Sequence, residues 1–474
     1  MSTTSESRPE AEQGYYTAKV VLLASVAALG GFLFGFDTAV INGAVGPLQK
    51  DFGIGDGLTG FVVSSALLGA MAGAYFAGAL ADRFGRIRVM YLASAMFTVS
   101  AVGSFAAVGP WDMILWRVIG GMGVGAASVI APAYIAEISP AVIRGRMGSL
   151  QQLAIVSGIF VALLSNYFLS QAAGGSGEPL FFDVSAWRWM FLAELIPAVL
   201  YGVLAVTIPE SPRYLVSNGD EKTAREILSR VLKGGIDHRI SEIRRTIVRE
   251  QKASLSDIRG KAAGLKPIVW IGIGLAFFQQ FVGINVIFYY STVLWQSVGF
   301  TEADALKQTV ITSVTNIVVT VVAIALIDKI GRRLLLLIGS AGMLVTLGTL
   351  AYVFANATVK MVDGEEMPIL GDTAGLVALI AANGFVVFFG MSWGPAMWVL
   401  LGEMFSNKIR GTALGVAAAA NWLSNFAIST AFPAAAAYSL GVSYGFFALM
   451  ALLSFLFVLK FVPETNNVEL EDMV

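Results

Sequence analysis

The chain has 474 residues, 56% of them hydrophobic and 13% charged, with a net charge of −1 and a mean hydropathy of +0.74. Soluble domains carry roughly 25% charged residues, so the composition excludes a soluble globular protein, and the near-neutral charge argues against nucleic acid as a partner. The absence of cysteine removes disulfides, thiolate metal sites and thiol nucleophiles, and the single histidine, His238, sits in a charged stretch and builds no catalytic or metal cluster.

Residues 1–18 begin polar, without the basic region and small-residue cleavage site of a secretory signal, and read as a cytoplasmic tail. A bilayer core needs about 20 apolar residues per helix. Such runs fall at 19–43, 58–80, 88–108, 112–135, 149–170 and 187–208, then at 266–295, 306–328, 334–356, 374–402, 411–437 and 441–462. The pattern predicts an all-α membrane protein of twelve transmembrane helices, with one six-helix half over 19–208, a second over 265–462 and a cytoplasmic tail at 463–474. Between the halves, 209–264 is polar and reads as cytoplasmic linker helices. Asp220 is placed to cap a helix reaching Arg230, with Ala224, Ile227, Leu228, Val231 and Leu232 on one face; a second amphipathic helix is expected from Ile240 to Gln251.

Basic residues in short loops mark the cytoplasmic side. Arg83, Arg86 and Arg88 follow the second run, Arg144 and Arg146 the fourth, Lys329, Arg332 and Arg333 the eighth, and Lys408 and Arg410 the tenth. The alternate loops are acidic, which puts both termini in the cytoplasm.

Three phrases occur twice. Asp82-Arg83-Phe84-Gly85-Arg86 returns as Asp328-Lys329-Ile330-Gly331-Arg332, and Glu137 with Arg144-Gly145 returns as Glu403 with Arg410-Gly411. Pro209-Glu210-Ser211 returns as Pro463-Glu464-Thr465. Repeated phrases in matching loops mean a duplicated half, a common way to build a transporter. The glycine run Gly120-Gly121-Met122-Gly123-Val124-Gly125 is expected to let helix backbones approach closely.

Within the apolar runs stand Gln152, Gln279, Gln280, Asn285, Asn316 and Asn421, together with Tyr289, Trp398 and Trp422. Amides offer a donor and an acceptor to each hydroxyl, and aromatic faces suit polarised C–H groups; a sugar presents both. One such amide reads equally well as interhelical glue. Several facing hydrocarbon would be costly, and a wet central cavity removes that cost. Gly283 and Gly394-Pro395 are placed to break their helices, as in discontinuous binding helices. Asp37, Arg117 and Glu194 are intramembrane charges, functional by default, a purely structural buried pair being the other reading. No nucleophile–base pair or metal set is evident, so neither an enzyme nor a cofactor is expected.

The doubled Asp-Arg/Lys-x-Gly-Arg loop resembles the signature of the major facilitator superfamily. Gly35-Phe36-Asp37-Thr38-Ala39-Val40-Ile41-Asn42-Gly43, Trp116-Arg117, Pro209-Glu210-Ser211-Pro212-Arg213-Tyr214-Leu215, Gln279-Gln280-Phe281-Val282-Gly283-Ile284-Asn285 and the Pro463-Glu464-Thr465 ending resemble its sugar porter family. The likeness is to bacterial proton-coupled glucose and xylose symporters. One departure is Ile324, where Gly78 stands in the first half; the loop at 171–186 carries no motif.

The resemblance implies the major facilitator fold, with two pseudo-symmetric six-helix halves, in a monomer of the inner (cytoplasmic) membrane. It implies symport of a proton and a monosaccharide, D-glucose first, with xylose or galactose next. Facilitative uniport is the alternative, and that branch carries Asn where Asp37 stands. A non-sugar porter and a sugar sensor are weaker rivals. By resemblance, Gln152, Gln279, Gln280, Asn285, Tyr289, Asn316, Gly394, Trp398, Asn421 and Trp422 contact the sugar, most of them from the second half. Asp37 pairs with Arg117 in one state, and Glu194 tunes that pair. Asp82, Arg83, Arg86, Glu137, Arg144, Glu210 and Arg213, with Asp328, Arg332, Glu403, Arg410 and Glu464, are expected to form ion pairs between the halves that close the cytoplasmic gate.

Overall fold

The computed structural model describes residues 14–249, 255–260, 264–362, 365–405 and 409–464. The first half begins with α1 (Thr17–Val40), which continues through a 3-10 turn at Ile41–Gly43 into α2 (Val45–Phe52). Then come α3 (Asp56–Phe84), α4 (Arg86–Ala106), α5 (Pro110–Ile138), α6 (Ala141–Ala173) and a sixth span in two pieces, α7 (Ala186–Ala193) and α8 (Leu195–Ala205). The linker holds α9 (Pro212–Ser217), α10 (Glu221–Val231) and α11 (Ile236–Arg249). The second half runs α12 (Pro267–Phe281), α13 (Ile284–Ser297), α14 (Glu302–Ile330), α15 (Arg332–Ala355), α16 (Asp372–Met391), α17 (Pro395–Met404), α18 (Arg410–Tyr438) and α19 (Leu440–Phe461). Three small antiparallel hairpins complete it: β1 (Pro179–Phe181) with β2 (Val184–Ser185), β3 (Arg259–Gly260) with β4 (Gly264–Leu265), and β5 (Thr358–Val362) with β6 (Glu365–Ile369).

Among the described residues, 11 helical runs are long and apolar enough to cross a bilayer. The twelfth, α18, has 29 residues but carries Asn421, Ser424, Asn425, Ser429 and Thr430 along it. Its low hydropathy has a local cause, since Asn421 and Asn425 face the central cavity instead of lipid.

Glycine sets the helix spacing. A Cβ on Gly121 would come within 1.9 Å of the Ala66 carbonyl oxygen, and one on Gly69 within 2.1 Å of that of Val118, so α3 and α5 interlock from both sides. The glycine run thus serves packing, as expected. Between α1 and α6, Gly35 and Gly158 do the same against Ile155 and Phe32. Across the halves, α3 packs on α18 and α6 on α14.

In the linker, Asp220 caps α10, accepting from the Thr223 N–H at 3.1 Å. Hydrogen bonds from Thr223 hold this exposed carboxyl below its usual range. Ala224, Ile227, Leu228 and Val231 are buried as predicted, while Leu232 is partly buried. Helix α11 starts at Ile236, four residues before the predicted Ile240. The predicted end, Gln251, lies outside the described residues. Tyr15 pairs with Leu232 in an antiparallel bridge, tying the segment before α1 to the linker.

Candidate functional site

Two chain breaks place the central polar groups. Gly283, at φ 87, separates α12 from α13, a backbone region that suits glycine. Residues 392–394 separate α16 from α17, which restarts at Pro395. Between the halves these segments frame a cavity of about 510 Å³ that opens to solvent. All ten residues predicted to face a sugar line it: Gln152, Gln279, Gln280, Asn285, Tyr289, Asn316, Gly394, Trp398, Asn421 and Trp422. Phe34, Thr38, Gln151, Thr320, Phe389 and Asn425 line it too. Sequence reasoning missed Gln151, although it stands next to Gln152 in an apolar run.

The amides of the second half bond to one another. Asn421 Nδ2 donates to Gln279 Oε1 at 2.6 Å, and Asn285 Nδ2 to Gln280 Oε1 at 2.6 Å. Gln280 Nε2 donates to Gln279 Oε1 at 3.3 Å and Asn421 Oδ1 at 3.2 Å, while Gln279 Nε2 donates to the Trp393 carbonyl at 2.9 Å. Such a mesh holds each amide in place, and its members can exchange these bonds for ones to hydroxyls. Phe34 and Trp422, with ring centroids 5.9 Å apart, face each other from opposite halves.

Asp37 and Arg117 lie outside the residues that line the cavity. Arg117 Nη1 is 3.5 Å from Asp37 Oδ2 and donates to the Asp37 carbonyl at 3.0 Å. Their side chains are 2% and 1% exposed, so the pair is desolvated and each charge depends on the other. Glu194, at the joint between α7 and α8, is buried and interacts electrostatically with both. Tyr289 lines the cavity and interacts electrostatically with Asp37 and Arg117 as well. It is the side chain shared by the two sites.

The halves are tied at the end of the bundle away from the repeated charged loops. Asn42 Nδ2 donates to the Phe288 carbonyl at 2.8 Å and to Ser291 Oγ at 2.9 Å. Asn42 Oδ1 accepts from the Thr292 N–H at 3.3 Å and from the Thr292 hydroxyl. Ser64 and Thr430 share a 2.6 Å hydrogen bond, and Glu302 accepts from Ser170 at 3.0 Å and the Ser176 N–H at 2.7 Å. The cavity is therefore shut on that side.

The family description "Sugar (and other) transporter" matches residues 23–474. A glucose transport protein from Synechocystis sp. is 59% identical over 456 residues, covering 96% of this chain and 97% of that protein. A D-xylose-proton symporter from Escherichia coli is 38% identical, covering 97% of this chain and 96% of that one. The chain belongs to the sugar transporter family. Its fold matches the inward-open xylose transporter XylE from E. coli at a TM-score of 0.79 and 35% identity, covering 97% of this chain and 99% of that one. XylE bound to 6-bromo-6-deoxy-D-glucose, described as a major facilitator superfamily proton:xylose symporter, matches at 0.77 and 36%. The architecture is that of the major facilitator superfamily.

In this sugar transporter the repeated loops build two matching clusters. Arg86 reaches Glu137 through Nε at 3.0 Å and Nη2 at 2.9 Å, and Asp82 lies 3.5 Å from its Nη1. Glu210 accepts from the Arg86 and Ile87 N–H groups at 3.0 and 3.2 Å, a carboxylate at the start of α4. Arg213 stands 4.0 Å from Glu137, Arg144 Nε donates to the Ala136 carbonyl, and the Arg83 guanidinium lies over Phe84.

The second half repeats the plan. Arg332 pairs with Glu403 at 2.9 Å, Glu464 accepts from the Arg332 and Arg333 N–H groups at 3.1 Å, and Arg410 Nε donates to the Phe405 carbonyl. The side chain of Asp328 lies outside the described residues.

These pairs were expected to join the halves. The ones seen here join helix ends within one half, because single-residue turns at Gly85 and Gly331 keep each arginine over its own bundle. Replacing Glu137 with Gln would leave Arg86, with its side chain 10% exposed, without this charge partner. The expected result is a loss of about 3 kcal/mol of stability, read as a lowered Tm in detergent; an unchanged Tm would remove the clamp role.

Proposed function

We propose that this carrier imports one monosaccharide with one proton by alternating access, D-glucose being the first candidate and xylose or galactose the next. The relatives' own names, glucose transport and D-xylose–proton symport, support this. The observation that carries the coupling is the buried Asp37–Arg117 pair beside a cavity lined by amides and aromatic rings. With Asp37 ionised, the pair holds the first half in one arrangement. Protonation neutralises the acid and frees Arg117, and Tyr289 reports that change to the sugar. Sugar and proton then raise each other's affinity, as linkage requires, and the membrane potential adds about 2.3 kcal/mol per charge per 100 mV.

The ten cavity residues are the proposed sugar contacts, and Glu194 tunes the acid–arginine pair. The loop clusters, joined within each half in this state, are proposed to meet across the cytoplasmic face when the cavity opens outward. The basic loops place both termini in the cytoplasm, in the inner membrane, with each monomer transporting by itself. The proposed segments are the tail at 1–18, the halves at 19–208 and 265–462, the linker at 209–264 and the tail at 463–474.

Purified carrier in sealed vesicles, given an acid-outside gradient and a panel of labelled sugars, tests the whole reading. Uphill accumulation of glucose that collapses with a protonophore is expected. Glucose uptake that only equilibrates, whatever the gradient, would make the protein a uniporter.

A further inference from the structure

The Asp37 carboxyl lies outside the residues that line the sugar cavity in this state, and further buried polar groups stand near it on α4. Helix α4 carries two serines one turn apart, Ser100 and Ser104, which are 2% and 1% exposed. Residues four apart share a helix face. Ser94, lower on the same helix, spends its hydroxyl on the Ala198 carbonyl at 2.8 Å. Ser104 Oγ is buried without a hydrogen-bond partner, as are Arg117 Nε, Glu194 Oε1 and Asp37 Oδ2 of the acid–arginine cluster. An unpartnered hydroxyl in an apolar helix is costly, so Ser104 carries a cost that packing alone does not offset.

Geometry connects them to the acid. A Cβ on Gly120 of α5 would lie 2.4 Å from Ser100 Oγ and 2.9 Å from Asp37 Oδ1. The two oxygens therefore face each other across a glycine that keeps the gap open. Ser104 is one further turn towards the outer end of α4, and Val108, one turn beyond it, is 87% exposed. Neither serine lines the sugar cavity.

We propose that Ser104 and Ser100 form a proton route from the outer face to Asp37, separate from the sugar path and resting on the reading of Asp37 as the coupling acid. A proton arriving through water is transferred onto Ser104 Oγ as Ser104 passes its own proton inward, through water, to the Ser100 hydroxyl. Ser100 passes its proton to Asp37 Oδ1. Each hydroxyl ends as it began, Asp37 becomes a neutral carboxyl, and Arg117 loses its charge partner. The charged and titratable groups facing Asp37 are Arg117 on α5, Glu194 between α7 and α8, and Tyr289 on α13. Because the route avoids the cavity, the acid is loaded while the outer side is still shut, and protonation precedes opening.

Ser100→Ala and Ser104→Ala, near-isosteric changes, test this in proteoliposomes beside Asp37→Asn. The expected result is a fall of about tenfold in the initial rate of pH-driven accumulation. The optimum should move to lower external pH, while sugar KM and counterflow stay the same. Ser100→Thr, which keeps a hydroxyl, should recover most of the rate. Unchanged pH-driven rates in both alanine variants overturn the route, and so does a parallel fall in counterflow, which would mean packing. Accumulation retained by Asp37→Asn removes the coupling reading itself, whereas accumulation lost there but normal in the serine variants removes the route alone.

Discussion

Asp37→Asn is expected to abolish uphill sugar accumulation while leaving counterflow exchange. Asparagine keeps the shape of the side chain but neither binds nor releases a proton near neutral pH. One pH unit is worth about 1.36 kcal/mol, so a carrier moving one proton per sugar should sustain roughly a tenfold gradient per unit. The variant should equilibrate and stop. Two effects oppose each other in its stability. The change removes the charge partner of Arg117, and breaking a buried pair costs roughly 3–5 kcal/mol. Arg117 keeps its bond to the residue 37 carbonyl at 3.0 Å and the nearby carboxyl of Glu194, so the folded protein should survive with a lowered Tm. Measuring accumulation and counterflow on one preparation separates the outcomes. Accumulation intact in the variant would move the coupling to another group, and loss of both activities would mean a folding defect.

Much of this arrangement was legible in the sequence because its signals are local. Hydrophobic run length located the spans, including α18, whose polar residues lower its hydropathy. The breaks at Gly283 and Gly394-Pro395 needed only glycine and proline in the middle of apolar runs. Nine of the ten cavity residues stood out as amides or aromatic rings in apolar runs, and the resemblance to sugar porters made them, with Gly394, the expected sugar contacts. Asp37, Arg117 and Glu194 stood out for the same reason.

What was not legible depends on distance between segments. The spacing of Glu137 and Arg144, or of Glu403 and Arg410, marks the loops but does not say which helix ends meet. Glu137 and Glu403 in fact hold Arg86 and Arg332 of their own half, while Arg144 and Arg410 donate to the Ala136 and Phe405 carbonyls. The interruption at Glu194 was also missed, although Pro197 marks it: proline has no N–H to donate to the Ala193 carbonyl, where α7 ends. The loop at 171–186 gave no sign of its task until Ser170 and Ser176 were seen bonded to Glu302, more than a hundred positions away. Asn42 sat inside a recognised phrase, yet its partners lie 246 to 250 positions along the chain.

Asn42→Ala is expected to shift the resting carrier towards the outward-open state. The side chain is fully buried and spends both ends of its amide on α13, reaching Phe288, Ser291 and Thr292. Those bonds join the two halves across the closed seam, so opening it must break them. When α13 moves away, water takes over each group, so the substitution weakens one state and leaves the other nearly untouched. Each neutral hydrogen bond contributes about 0.5–1.5 kcal/mol net, and a buried group left without a partner costs about 1–3 kcal/mol. A shift of about 2 kcal/mol follows, or roughly thirtyfold in the ratio of the two states. The chain has no cysteine, so one introduced thiol reports cleanly. Ser64→Cys is nearly isosteric, and Ser64 is fully buried at the closed seam against Thr430. With a membrane-impermeant maleimide outside, labelling should run about thirtyfold faster in the Asn42→Ala background. Turnover should fall, because the return to the inward-open state becomes the slow step, while sugar presented from outside should bind more tightly. Equal labelling rates in the two backgrounds would show that the seam is held by its other contacts, apolar packing and Glu302 with Ser170 and Ser176, and Asn42 would lose its role as the latch.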